Sequence, residues 1–230
     1  MTEKTLPQCA QCPFDWSERY CRTGKGKAPA DCPSLRLRSL IEPAREATLR
    51  EETCEFARQA SLQEASGYGG RESGYGAVYP LKPRIVEIVE FARRMGYHRL
   101  GLVFCMGLRK EAAVVNEILT TNGFEVASVS CKVGGQPKSV LGIERKDQVD
   151  PGTDRETMCN PVLQAMLVNE VDTEFNVLLG LCVGHDSLFF KHAKAMGTVL
   201  AVKDRLLGHN PLAAIQQYES YYRYLKKPLP

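Results

Sequence analysis

The feature that most constrains the fold is an alternation beginning at Lys82, in which helical patterns and short apolar runs follow one another to residue 202. In PRIVEIVEFARRMG, apolar side chains at Ile85, Ile88, Val89, Ala92 and Met95 recur near every 3.6 residues, and Gly96 supplies a stop. RLGLVF then reads as a strand, RKEAAVVNEILTTNG as a helix ending at Gly123, and FEVASVS as a second strand. After a long irregular loop come NPVLQAMLVNEV (helix), FNVLLGL (strand), SLFFKHAKAMG (helix) and TVLAV (strand). Near-continuous apolar strands separated by helices predict a parallel sheet covered on both faces and joined by right-handed crossovers. The expected fold is α/β, a Rossmann-like parallel sheet of about four strands flanked by helices, occupying 81–230. PLAAIQQYESYYRYL at the end of the chain predicts a last helix with a Tyr-rich face.

The preceding residues follow other rules. Residues 1–34 are rich in Cys, Pro, Gly and Lys without apolar periodicity, so hydrophobic burial alone would not fold them. They are expected to form a small N-terminal Cys-rich metal-binding module. Residues 35–80 predict helix to about Gln63, with Pro43 as a break or restart, followed by an exposed, mobile Gly and Tyr rich linker, SGYGGRESGYGAVYP.

Composition narrows the function classes. Hydrophobic residues at 43% and charged residues at 25% are ordinary for a globular chain, and a net charge of +3, with basic and acidic residues interleaved, argues against nucleic acid as a partner. MTEKTLPQCAQCPF lacks the basic start and apolar core of a signal peptide, and no run approaches the roughly 20 apolar residues of a membrane span. A cytoplasmic protein without a membrane partner is expected. An odd number of cysteines, nine, then argues against a disulfide scaffold and for thiols engaged in metal or redox chemistry.

Those cysteines fall into two groups. Cys9, Cys12, Cys21 and Cys32 have the spacing C-x2-C-x8-C-x10-C. Four thiolates on short loops suit a tetrahedral zinc or an iron-sulfur cluster, although the longer gaps match neither a regular zinc finger nor the compact ferredoxin run. The second group is Cys105, Cys131, Cys159 and Cys182. Cys105, Cys131 and Cys182 close predicted strands, and Cys159 precedes Asn160-Pro161, a good helix start. In an open parallel sheet ligands bind outside the carboxyl ends of the strands, so all four map onto the ligand edge. Cysteine also serves as a small buried apolar residue, but four at equivalent topological positions favour a common site. Cys54 lies within a predicted helix and belongs to neither group.

Other polar residues share that edge. His185 and His209 are candidate ligands or acid/base groups, and Lys203 and Arg205 are candidate pocket residues, with Arg205 and Lys110 able to bind a small anionic ligand. Asp186 and Asn210 read as helix N-caps. Thr23-Gly24-Lys25-Gly26-Lys27 lacks the spacing and strand of a phosphate-binding loop, and no G-x-G-x-x-G follows the first parallel strand, so no nucleotide cofactor is indicated. The loop between Cys131 and Cys159 exceeds the usual length and is expected to be a lid, a binding segment or disordered.

FCMGLRKEA from Phe104, CKVGG from Cys131, MCNPVLQA from Met158, GLCVGHDSLFF from Gly180 and VKDRLLGHNP from Val202 resemble the domain of unknown function 1847 family of bacterial and archaeal proteins, described as probable metal-binding proteins. The amino-terminal C-x2-C and Cys32-Pro33-Ser34 fit the same resemblance. It implies metal binding through the matching cysteines and brings no activity or substrate. The expectation is a metal-binding protein with two thiolate sites, zinc or [4Fe-4S], the second redox-active or substrate-binding. The competing readings are a non-enzymatic metal sensor or carrier with a purely structural N-terminal zinc, and thiol-disulfide exchange through Cys9 and Cys12.

Overall fold

A computed structural model describes residues 6–229, and the chain divides into two compact units, 1–65 and 66–230. The first contains short helical pieces: α1 (Tyr20–Thr23), α2 (Pro33–Arg36), α3 (Ile41–Thr48) and α4 (Glu51–Ser66). Pro43 sits in the first turn of α3, where a missing N–H costs nothing, so it restarts the helix rather than breaking it. Among the described residues of this unit only Gln63 is buried.

In the second unit the stretch read as a linker is largely exposed and closes on itself through a short strand pair. Tyr68–Gly69 (β1) pairs antiparallel with Tyr79–Pro80 (β2), and the residues between form two 3-10 turns, 71–73 and 75–77. The amphipathic helix α5 (Arg84–Arg94) buries Ile88, Val89, Phe91 and Ala92, with Phe91 against Phe175 at a ring separation of 5.4 Å.

The alternation becomes β3 (Arg99–Phe104), α6 (Arg109–Thr121), β4 (Glu125–Ser130), α7 (Pro161–Glu170), β5 (Phe175–Leu179), α8 (His185–His192) and β6 (Gly197–Ala201). All four of these strands are parallel, in the order β4-β3-β5-β6. Strand succession reverses at β3, which has β4 on one side and β5 on the other, so the topological switch point lies between the carboxyl ends of β3 and β5. With right-handed crossovers α6 covers one face and α7 with α8 the other.

Leu100, Leu102, Val103, Val177 and Leu178 of the central strands are essentially solvent-free, as are Leu119, Val168 and Phe189 of the covering helices. Each such side chain stabilises the fold by about 1.5–3 kcal/mol relative to exposure. Gly101 leaves room for a polar exception. A Cβ there would lie 2.0 Å from the Asn176 amide oxygen, which accepts a hydrogen bond from Thr173 Oγ1 at 3.0 Å inside the core.

Two expectations fail at helices. α8 starts two residues before the predicted SLFF segment, so Asp186 lies in its first turn rather than at its cap, its carboxylate accepting from the Gly184 and Ser187 amides. The final helix shrinks to α9 (Leu212–Gln216) and a 3-10 turn at 223–226, and Asn210 makes no side-chain cap. Leu212 and Ile215 stay 58% and 65% exposed, so no burial supports a longer helix. Among the described residues no helix is long and apolar enough to cross a membrane.

Candidate functional site

Three of the four edge cysteines meet. The last registered pair of β3 and β4 is Phe104 with Ser130, and the Cys131 amide donates to the Phe104 carbonyl at 2.8 Å, so Cys105 and Cys131 follow as cross-strand neighbours. The Cys131 sulfur accepts from the Met106 amide at 3.3 Å. Cys159 is brought to the same place from the far end of the long loop, because the Asn160 amide donates to the Cys131 carbonyl at 2.8 Å. Asn160 is the N-cap foreseen for α7, its side chain accepting from the Leu163 amide, with Pro161 at the first helical position.

Among the three thiols Cys131 is the one that perturbs both of the others most strongly, while Cys105 and Cys159 act on each other through charge. Cys131 is buried in a cluster with Val103, Ala165, Leu181 and Phe189, and Cys105 and Cys159 pack half-buried against it. The Cys131 thiol is pushed up, first by its bonds to its neighbours and then by burial. The hydrogen bond from Cys131 lowers Cys105 to about 5, assisted by the Gly107 backbone and the Lys203 ammonium. The same cause lowers Cys159 to about 6, with Lys132 and His185 adding positive potential. A thiol carries one hydrogen, so Cys131 serves one neighbour at a time and the three titrate as a unit.

Lys203 occupies the switch point. A Cβ on Gly107 would lie 3.6 Å from its Nζ and 3.8 Å from the Cys105 sulfur, and one on Gly180 would lie 3.7 Å from the same Nζ. Gly180, at φ +67°, could not carry that Cβ, which would meet Leu108 Cδ1 at 2.1 Å. The backbone thus opens a path for the ammonium between the ends of β3 and β5.

Cys182 does not join these three through any hydrogen bond. Its sulfur accepts from the Arg205 guanidinium at 3.1 Å, so Arg205 engages a thiol as found. His209 serves its own loop: at φ +68° its Nδ1 accepts from the Asp204 amide at 3.1 Å, while Asp204 Oδ1 accepts from the Leu206 and Leu207 amides. His185 stands at the start of α8, with its charge felt by Cys159, and Lys110 lies exposed in the first turn of α6. The loop after Cys131 is ordered by a Pro137 to Thr157 bridge, the Lys138–Glu156 ion pair at 2.7 Å and a bond from Lys132 to the Thr157 carbonyl.

Sequence reasoning missed Lys132 and Gln164. Gln164 is fully buried in α7, and its Nε2 donates to the Phe104 and Val129 carbonyls at 3.3 and 2.9 Å, joining the ends of the strands that carry Cys105 and Cys131. Its Oε1 has no hydrogen-bond partner. One polar residue within the apolar text PVLQAMLV was the available signal.

In the first unit Cys9, Cys12, Cys21 and Cys32 line one concavity of about 60 Å³, together with Arg19 and Asp31. That is far below the roughly 300–1,000 Å³ of small-molecule pockets, so the space suits an ion or compact cofactor. Arg19 braces it, donating to the Phe14 carbonyl at 2.8 Å and the Cys12 carbonyl at 3.3 Å. Among the described residues no group of three or more His, Cys, Asp and Glu side chains is gathered closely enough to hold a metal ion as it stands.

The model of a family described as proteins of unknown function, DUF1847, matches residues 32–200, a span containing Cys32, Cys105, Cys131, Cys159, Cys182 and His185. An uncharacterized protein of Methanocaldococcus jannaschii is 38% identical over 222 residues, covering 96% of this chain and 98% of its own length. With most of its length matched on both counts, the chain belongs to the DUF1847 family.

Proposed function

We propose that the chain is a cytoplasmic thiolate metal-binding protein whose resident metal site is the tetrad Cys9, Cys12, Cys21 and Cys32, with a separate thiol site at the carboxyl edge of the sheet. The observation that carries the reading is the lining of one small concavity by all four N-terminal cysteines. Soft thiolates select zinc or an iron-sulfur cluster over hard cations, and the bound group would supply the cross-link that this unit lacks in apolar burial. The sulfurs would close in on binding, as expected where metal affinity and folding are one equilibrium.

The edge thiols have different neighbours. Cys105 and Cys159 are each perturbed by Cys131, and Cys182 is bonded to Arg205. Lys203, Lys132 and Arg205 make that edge electropositive, which suits thiolate chemistry on a small anionic ligand. A metal carrier is the second reading, favoured by the exposure of Cys9 and Cys21, which leaves bound metal within reach of a competing thiol.

The test is metal analysis and a visible spectrum of protein purified without air, beside a Cys9→Ser/Cys12→Ser variant. About one zinc ion or one cluster per chain is expected in the parent and little in the variant. Metal-free parent protein would overturn the proposal.

A further inference from the structure

Cys105, Cys131 and Cys159 come together at the sheet edge, and their geometry says more than that thiols are present. Neighbouring parallel strands lie about 4.8 Å apart. Cys105 and Cys131 continue the β3 and β4 register by one residue, which places their backbones within the roughly 4.4–6.8 Å that a disulfide spans. The Cys131 sulfur is turned toward the Cys105 strand end, since it accepts from the amide of Met106, the residue after Cys105, at 3.3 Å. Cys159 is held beside Cys131 as well, its segment pinned by the Asn160 to Cys131 backbone bond.

We propose that Cys105 and Cys131 are a reversible dithiol–disulfide pair that exchanges with small anionic disulfides, with Cys159 as a third sulfur able to take over the bond to Cys131. Cys105, half-buried, is the entry point and Cys131, buried, the resolving thiol. The Cys105 thiolate attacks one sulfur of a small disulfide R–S–S–R, forming Cys105–S–S–R and releasing R–S⁻. Cys131 then attacks the Cys105 sulfur and displaces the second R–S⁻. The proton of Cys131 ends on a released thiolate by way of the Cys159 sulfur. Two protein thiols are oxidised, one small disulfide is reduced to two thiols, and no metal takes part. The cationic groups around the sulfurs, Lys203 beside Cys105, Lys132 near Cys159, and Arg205 on Cys182, give an anionic disulfide an electrostatic advantage over a neutral one.

The proposal goes beyond the metal reading and does not depend on it. The full-length protein, with whatever metal it carries, is freed of reductant without air, treated with oxidised glutathione, quenched by alkylation and mapped by mass spectrometry. A Cys105–Cys131 linkage is expected as the main product among the edge thiols, reversed by dithiothreitol. In Cys105→Ser the linkage should move to Cys131–Cys159, and in Cys182→Ser it should be unaffected, with circular dichroism confirming that both variants fold. The rate advantage of glutathione disulfide over hydroxyethyl disulfide, which is neutral, should be larger at low salt than at high salt. A stable glutathione adduct that Cys131 fails to resolve, no reaction at the three edge thiols, or pairing with Cys54 or Cys182 would overturn the proposal. Metal content measured in the same samples separates the two readings, because metal-free protein that still forms the Cys105–Cys131 bond defeats only the first.

Discussion

The two cysteine groups occupy opposite energetic settings. Cys9, Cys12, Cys21 and Cys32 sit on 3-10 turns, one-turn helices and their flanks, in a unit whose described residues bury only Gln63. Cys105, Cys131 and Cys159 sit at the rim of a sheet whose central strands and covering helices are nearly solvent-free. In the first case thiols with a bound metal would have to hold the backbone; in the second the backbone holds the thiols. The two proposals assign one residue type a scaffold role at one end of the chain and a reagent role at the other, and what separates the settings is the apolar burial around it.

The sharpest way to break this contrast is metal removal. A strong chelator under reducing conditions should expose residues 1–50 to proteolysis while a fragment beginning near residue 66 resists, because structural zinc contributes about 10–16 kcal/mol in small cysteine modules. Equal sensitivity of both units, followed by the masses of the cleavage products, would end the comparison. The reverse perturbation is Phe189→Ala, which empties a fully buried site beside Cys131 and should cost about 3–5 kcal/mol in urea unfolding of the second unit without lowering metal content.

A finer test addresses the reagent role. Cys131→Ala removes the leading cause of the lowered Cys105 value, so the pH midpoint for alkylation of Cys105 should rise above about 5 and its rate at pH 6 should fall about tenfold. An unchanged midpoint would assign the effect to Lys203 and the Gly107 backbone. The smallest expected effect concerns the loop. Lys138 first, then the Asp150 and Val149 amides, hold the Glu156 carboxyl below its usual 4.5. A group depressed in the folded state contributes stability above its unfolded value, and that contribution disappears as the pH falls through the folded one. Hydrogen-exchange protection of the Val149 and Asp150 amides, corrected for intrinsic rates, should therefore drop as the pH falls through the lowered value of Glu156, and be low at neutral pH in Glu156→Gln.

Much of the second unit was legible because burial there follows simple periods. RLGLVF became β3 residue for residue, and Asn160-Pro161 marked a helix start that the structure keeps. Reading failed where local pattern and tertiary support part company. PLAAIQQYESYYRYL has helical spacing but nothing to bury Leu212 and Ile215, while SGYGGRESGYGAVYP looks like a linker yet closes into a strand pair. At the site, topology alone brought Cys105, Cys131 and Cys159 to one edge. It did not give the direction of the Cys182 sulfur: Leu181 takes the adjacent core position, 3% exposed, and Arg205 bonds to that sulfur. Nor does spacing show that a glutamine in α7 would tie two strand ends together.

That tie has a counterpart at the base of the long loop, where the Asn160 to Cys131, Met158 to Gln136 and Lys138 to Glu156 backbone bonds clasp the chain shut. Beyond the clasp, the cost of closing a loop grows only by about 0.6 kcal/mol for each doubling of its length. Residues 139–155 can therefore be lengthened, shortened or replaced by an inserted peptide without changing the distance between Cys131 and Cys159. The outer segment is the place where relatives can diverge, or an engineer can graft a recognition element, while the sulfur chemistry beneath stays the same.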